Sequence, residues 1–218
     1  MKVVELGKAE CDRLVSARHY SKTPSIFWRG FGLVIGGWIE GCVVYGQPSP
    51  AIQKHAFKDR DWKFFELSRL VIQTSERNAA SFLVGGSLRM LETPCAVVSY
   101  ADTAHGHAGI VYQATNWIYT GSTVSHDVLY MVNGKPTHPM TLRDNGITAP
   151  MKWAKENGIE TVRPKEKHRY FKLCGNRAQV KRMASALAYA EVKPYPKLPK
   201  STYENGERIA IAYQETLF

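Results

Sequence analysis

"FFELSRLVIQTSERNAASFLVGGSLRMLETPCAVVSYAD", residues 64–102, decides the fold. Its opening "FFELSRLVI" (64–72) is rich in aromatic and β-branched residues and predicts a strand, with Glu66, Ser68 and Leu70 on one face and Phe65, Leu67, Arg69 and Val71 on the other. "NAASFLVGGSLRML" (78–91) suits a helix with Asn78 as N-cap, where a side-chain oxygen can satisfy an orphan backbone N–H. Pro94 separates that helix from a second strand, "CAVVSYAD" (95–102). Strand, crossover helix and strand make a β-α-β unit.

Working outward, "KVVEL" (2–6) is a first strand, and "KAECDRLVSARHYS" (8–21) places Cys11, Leu14, Val15 and Arg18 at helical spacing. Pro24 ends that helix near "HYSKTP", and "FGLVIGG" (31–37) and "WIEGCVVYG" (38–46) form an antiparallel pair. Downstream, "AGIVYQATNW" (108–117) is a helix, "WIYTGS" (117–122) and "DVLYMVNG" (127–134) are strands, "APMKWAKENG" (149–158) is a helix closed by Gly158, and "HRYFKL" (168–173) is a strand. A last helix opens on Asn176 with Gln179 three residues on, a capping-box pattern, and buries Val180, Met183, Ala184 and Leu187. The class is α/β (α+β): a single domain with a central mixed, mostly antiparallel sheet flanked by helices, spanning residues 1–200, with 201–218 as a C-terminal tail.

Lys and Arg exceed Asp and Glu by 29 to 19, a net charge of +10 that favours a polyanionic partner such as nucleic acid. Cys11, Cys42, Cys95 and Cys174 lie far apart without a C-x-x-C pair, so neither a zinc knuckle nor a disulfide framework is indicated, and a reducing cytoplasm fits. The most apolar stretch, "FGLVIGGWIEGCVVYG" (31–46), is interrupted by Glu40 and glycines, which argues against a membrane span; the charged start argues against a signal peptide.

Function concentrates in "SYADTAHGHAGIVYQATNWIYTG" (99–121). Each polar group buried there without a partner would cost about 1–3 kcal/mol, so their density points to a ligand. Asp102 follows a strand end, where ligands collect in such sheets, and is equally placed to cap the following turn. Tyr112 fits either a satisfied core tyrosine or a functional phenol, and Gln113 and Asn116, three apart, carry amides that match the N6 and N7 edge of adenine. Asp102, His105 and His107 form D-x-x-H-x-H, a candidate metal set. "RPKEKHRYFKLCGNRAQVKR" (163–182) holds eight Lys or Arg against one acid, with Tyr170 and Phe171 interleaved. In it Lys167, Arg169, Lys172, Arg177, Lys181 and Arg182 are candidates for phosphate contacts, and the basic region extends to 197.

The order of elements resembles the acyl-CoA N-acyltransferase (GNAT-like) fold, and "ELSRLVI", "YADTAHGHAGIVYQATNWIYTG" and "HRYFKLCG" resemble the Mom family of phage DNA-modification proteins, over most of residues 1–200. The resemblance implies an enzyme that converts adenine in double-stranded DNA to N6-carbamoylmethyladenine and protects phage DNA from restriction, in the cytoplasm of an infected or prophage-carrying bacterium. It implies Tyr112 as general acid, Glu66 as proton relay on a strand face shared with Ser68, and His19 and Tyr20 facing the acceptor, while Asp102, from its place at the strand end, can act as base or orient a nucleophile. The resemblance associates iron with the family; on the donor side the residues themselves offer Arg77 and Asn78, at the start of the 78–91 helix, to hold a phosphate, and Arg69 to pair with Asp102 or a phosphate. One departure stands out: acyl-CoA enzymes of this fold carry a Q/R-x-x-G-x-G/A loop before the helix, whereas "QTSERNAAS" (73–81) has Gln73 and no glycine.

The implied product also constrains the donor. Acetyl transfer would leave a carbonyl on N6, while carbamoylmethyladenine has a CH₂ there, so acetyl-CoA alone does not account for it. A glycyl donor such as aminoacyl-tRNA has the required two carbons and one nitrogen; a CoA thioester is the other option. Two other readings stand beside this one, a CoA-dependent N-acetyltransferase of a small amine or protein and a DNA-binding protein without catalysis. Monomer and dimer both remain open.

Overall fold

Alternation of apolar residues fixes which face of each strand is buried, and the computed structural model, which describes residues 1–58, 60–123, 128–163 and 165–197, shows where those faces meet. The first half runs β1 (Lys2–Leu6), α1 (Lys8–Arg18), β2 (Arg29–Ile35), β3 (Trp38–Gly46), α2 (Pro50–His55), β4 (Lys63–Ile72) and α3 (Ala79–Met90). β5 (Cys95–Asp102), a 3-10 turn at Thr103–His105, α4 (Ile110–Ala114) and β6 (Ile118–Thr123) follow. Then come β7 (Leu129–Val132), β8 (Lys135–Thr137), α5 (Pro139–Asp144), α6 (Pro150–Glu156), β9 (Thr161–Val162), β10 (Lys167–Cys174) and α7 (Arg177–Ala186). The expected tail, 201–218, lies outside the described residues.

The main sheet has the order β1-β2-β3-β4-β5-β10-β6, and within it only β4 and β5 are parallel, so the expected mixed, mostly antiparallel sheet is borne out. One face packs against α3 and α4 through Phe31, Tyr45, Leu67, Leu83, Val97, Tyr112 and Trp117. The other packs against α1 through Val4, Leu14, Val15 and Val44, and against α2 and α7 through Ile52, Phe171 and Met183. β7, β8 and β9 form a separate three-stranded sheet, which with α5 and α6 encloses a small core of Tyr130, Leu142 and Ala154.

Three local readings need correction. β4 does not alternate through its length, because the register jumps from Val44↔Arg69 to Tyr45↔Leu67 and leaves Ser68 as an extra residue. That bulge reverses the phase, so Phe65 and Leu67 share a core with Leu70 and Ile72 while Val71 turns to the α1 side. Asn78 does sit at the N-cap of α3, but in the left-handed region (φ 63°) without a side-chain capping bond. α4 is one short helix between left-handed Gly109 (φ 72°) and left-handed Asn116 (φ 57°), so Gln113 and Asn116 do not share a helical face. By contrast, the capping box at Asn176 forms in both directions, Gln179 N–H to Asn176 at 3.0 Å and Asn176 N–H to the Gln179 side chain at 2.8 Å. All four cysteines are free thiols, although Cys95 and Cys174 stand opposite each other across β5 and β10.

Candidate functional site

The site begins where two parallel strands part. Pairing between β4 and β5 runs from Lys63↔Cys95 to Leu67↔Ser99, yet β4 continues to Ile72 and β5 to Asp102. The bulge at Ser68 turns β4 away, so backbone groups beyond Leu67 open into a fork. Ser99 bridges the apex, with its hydroxyl 2.7 Å from the Leu67 carbonyl and 2.7 Å from the Tyr112 hydroxyl. A carbonyl only accepts, so when Ser99 donates its single proton to Leu67, the Tyr112 O–H donates to Ser99. Burial holds the Tyr112 phenol above its ordinary range, partly offset by the Ser99 bond. It is therefore a proton donor at neutral pH, and α4 places it there by packing its ring against Trp117 (4.9 Å) and Tyr170 (5.2 Å). Gly109 makes this packing possible, since a Cβ there would lie 2.5 Å from the Tyr170 ring.

A cluster of tilted and edge-on rings lies at the end of α1. His19, the C-cap of α1, contacts the half-exposed Tyr20 ring at 4.2 Å; Tyr20 lies 4.1 Å from His105 and 5.6 Å from His107. The Ser21 backbone N–H donates to His19 Nδ1 at 3.1 Å, so the neutral ring carries its proton on Nε2. Burial, then the charge of Arg69, lowers the His19 pKa to about 4. His19 is thus a neutral hydrogen-bond donor at pH 7. Burial lowers His107 as well.

The loop carrying Tyr20 is tied to β4. Arg69 donates from Nε to Thr23 O at 2.9 Å and from Nη1 to Ser68 O at 2.7 Å, and Ser68 and Ser25 hydroxyls meet at 2.7 Å. Arg69 is therefore a tether for the acceptor-side loop, and these bonds connect it to neither Asp102 nor the cleft that Arg77 and Asn78 line. Glu66 is half-buried beside this loop; burial raises its pKa, against a Ser49 backbone bond and the charges of Arg69 and Lys167.

Asp102 is largely buried and already engaged. One carboxylate oxygen accepts from Ala104 N–H at 2.9 Å, capping the 3-10 turn, and the other lies 3.4 Å from Lys167 Nζ. Alternation along β5 sends Ser99 and Ala101 to the α3–α4 side and Tyr100 and Asp102 to the opposite side, so the acid and the Tyr112 phenol project from different faces. Among the described residues no group of three or more His, Cys, Asp and Glu is arranged to hold a metal ion, so Asp102, His105 and His107 do not fit iron.

The remaining expected ligands divide into engaged and open groups. Gln113 Nε2 is within hydrogen-bond range of Ala108 O (2.9 Å), Tyr170 OH (3.2 Å) and Pro196 O (3.2 Å), which fixes the segment after α7 against α4 and leaves little amide for a base. Asn116 is exposed, and its carbonyl accepts from Lys172 at 3.1 Å. Within the basic run, Arg169 binds Thr120 and lies over Tyr189 at 3.5 Å, Lys172 caps the end of α4 through Thr115 O, and Arg182 pairs with Asp61 at 2.9 Å. Arg177 and Lys181 are exposed on α7. Arg77 and Asn78 line a cleft of about 1000 Å³ along α3, with Ser81, Phe82, Arg89 and Lys172. Gln73 does not reach it, because its amide donates to Ile39 O at 2.9 Å.

The Mom protein family model matches residues 1–197. The chain belongs to the Mom family. A relative of this Mom-family chain, "Methylcarbamoylase mom" of Escherichia phage Mu, is 26% identical over 196 residues, covering 84% of this chain and 78% of the relative. Similar solved structures include a Bacillus subtilis acetyltransferase in complex with CoA (10% identity, TM-score 0.44, 80% of this chain and 97% of that one). Another is the spermidine N-acetyltransferase SpeG F149A mutant of Vibrio cholerae (11% identity, TM-score 0.45, 79% and 95%).

Two features of the Mom-family site had weak signals in the sequence. Ser99 stands out only as a hydroxyl inside an otherwise apolar strand, and the Tyr20–His105 contact joins two motifs read separately. The module at 129–162 left a strand and a helix legible, but not α5, β8 or β9.

Proposed function

We propose that this Mom-family chain modifies DNA by transferring an acyl group to the exocyclic amine of adenine, giving N6-carbamoylmethyladenine. The observation that carries the chemistry is the Tyr112 hydroxyl held on Ser99 at the fork between β4 and β5. A base-modifying enzyme must extract its target from the duplex, and an aromatic surface offsets the lost stacking. Tyr20, half-exposed and backed by His19 and His105, supports that role at the mouth of the site.

The first step forms a bond between adenine N6 and the donor carbonyl carbon and breaks the bond from that carbon to its leaving group. Tyr112 itself protonates the leaving group, since the Ser99 proton is held by the Leu67 carbonyl and Ser99 only orients the phenol, while the proton released from N6 passes to Glu66 or, across the open fork, to Asp102. Arg77, Asn78 and Ser81 would hold the phosphates of the donor carrier, whether a CoA thioester or the 3′ end of aminoacyl-tRNA; the carrier supplies the activated carbonyl. With a glycyl donor the product is N6-glycyladenine. Its free amine then attacks C6 through a five-membered ring, and the original C6–N6 bond breaks. The result is an isomer in which CH₂ follows the new nitrogen and the old N6 ends the carboxamide.

The test is mass spectrometry of nucleosides from plasmid DNA co-expressed with the chain. Carbamoylmethyladenine is expected, and unmodified adenine alone refutes the proposal. With nitrogen-15 glycine the label is expected on the nitrogen bonded to C6; label found only in the terminal carboxamide rejects the rearrangement. Thiol release from acetyl-CoA in the presence of a polyamine, without any change to DNA, would favour a small-amine acetyltransferase instead.

A further inference from the structure

β6 and β10 are adjacent and antiparallel, paired as far as Thr123↔Lys167, so a hairpin of roughly 2–5 residues would suffice to join them. The chain inserts residues 124–166 instead. Within that insertion β7, β8, β9, α5 and α6 close on their own core of Tyr130, Leu142 and Ala154, with Val132, Ile147 and Trp153 packed against it. The main sheet is complete without this module, which therefore serves something other than the core.

Its place in the sheet points to the site. Lys167, where the module returns, pairs in register with Asp102 and binds its carboxylate at 3.4 Å. Thr103 donates to the carbonyl of Glu166 at 2.5 Å. From Thr123 to Leu129 and from Val162 to Lys167 the chain takes six and five steps, and at about 3.5 Å per step the module starts within roughly 20 Å of the Asp102 turn. At about 3.4 Å per base pair, that upper limit corresponds to roughly six base pairs of duplex, so the near edge of the module stays within the flank of a target adenine.

Its surface suits that occupant. α5 and α6 are joined by residues 145–149, with Gly146 in left-handed backbone (φ 87°), and α6 is a seven-residue helix whose outer face is free of the module's own core. Ala154 and Trp153 hold α6 on its core, while Met151 (56% exposed), Lys152 and Lys155 face outward and Arg143 is exposed on α5. A lysine can contact guanine O6 and N7 or a phosphate, and a methionine can contact a thymine methyl. Lys152 also approaches Glu156 at 3.8 Å, a solvent-exposed pair that is weak and readily exchanged for a DNA contact.

We propose that the 129–162 module reads the base pairs beside the target adenine through α6 and so sets which adenines are modified. The proposal rests on DNA being the substrate, and its test separates the two claims. Full-length wild type and a M151S/K152Q/K155Q variant, with the single variant Lys155→Gln beside them, are compared for binding to duplexes that differ only in the bases flanking one adenine. All three positions are exposed, and circular dichroism checks that the fold is retained. The wild type is expected to spread its affinities over the panel by about tenfold or more, and the triple variant to lose that spread, with a salt slope smaller by about two. Mapped modification sites should broaden in parallel.

A wild type with no spread, or a variant that keeps it, overturns the proposal. So does uniform weakening with the spread intact, because the module would then grip phosphates without reading bases. If the spread collapses as expected but no adenine is altered by the wild type, the module reads DNA and the chemical proposal above is what fails.

Discussion

Substituting Tyr112 by Phe removes one oxygen from a ring that is 7% exposed and leaves the ring contacts to Trp117 and Tyr170 in place. Ser99 keeps its 2.7 Å bond to the Leu67 carbonyl, so no buried donor is stranded. The stability cost is then that of one net hydrogen bond, about 1 kcal/mol, or a fall of about 2–4 °C in melting temperature for a chain of this length. A protein with typical stability stays almost wholly folded after such a loss. If the phenol is the proton donor, modification should fall by about 10²–10⁴-fold, equivalent to about 3–5 kcal/mol of barrier. Stability and rate thus separate by two or more orders of magnitude. The assay pairs calorimetry with nucleoside mass spectrometry after single-turnover modification of a defined duplex. A variant that modifies DNA within twofold of the wild type would refute the role of Tyr112, and a rate loss no larger than the unfolded fraction would reduce it to a core residue.

Asp102→Asn keeps an acceptor for Ala104 N–H but removes the charge facing Lys167, so stability should change by less than about 1 kcal/mol while modification drops about 100-fold; normal modification would leave Asp102 as a cap alone. Gly109→Ala combines a left-handed backbone with a 2.5 Å clash against the Tyr170 ring and should cost about 2–4 kcal/mol in urea unfolding, where a loss below 1 kcal/mol would contradict the packing. His19 titrates at about 4 when folded against 6.5 when unfolded, so between those values the unfolded state binds more protons and stability rises with pH. Its contribution is full above about pH 6.5 and is lost as pH falls toward 4, with His107 acting in the same direction. Unfolding free energies at pH 7 and pH 5 should differ by more in the wild type than in His19→Gln, and equal differences would contradict the burial of His19.

Much of the architecture was legible because it depends on near neighbours. "KVVEL" is β1 to the residue, and the Asn176–Gln179 capping box forms as its spacing predicts. β4 was legible as a strand but not in phase, because the extra residue at Ser68 is created by pairing with β3, which no alternation within β4 announces. α4 was read too long: Gly109 and Asn116 end it by adopting left-handed backbone, a choice forced by the close approach of Tyr170 at one end and a tight turn at the other. The basic run was legible as charge, yet Arg169 and Lys172 are half-buried on partners far away in sequence, while Arg182 pairs with Asp61 at the surface.

Periodicity, capping and net charge are properties of short stretches, and those the sequence determined: the β-α-β unit, the mixed sheet, the cationic character and the clustering of polar aromatic residues at 99–121. Tertiary structure alone decided that Ser99 receives Tyr112, that Tyr20 lies against His105, and that the acid and the phenol leave β5 and α4 on opposite faces. The physical reason is that each of these contacts depends on strand register and on one bulge, which are set when distant segments pair and move every side chain beyond them by a full face of the sheet.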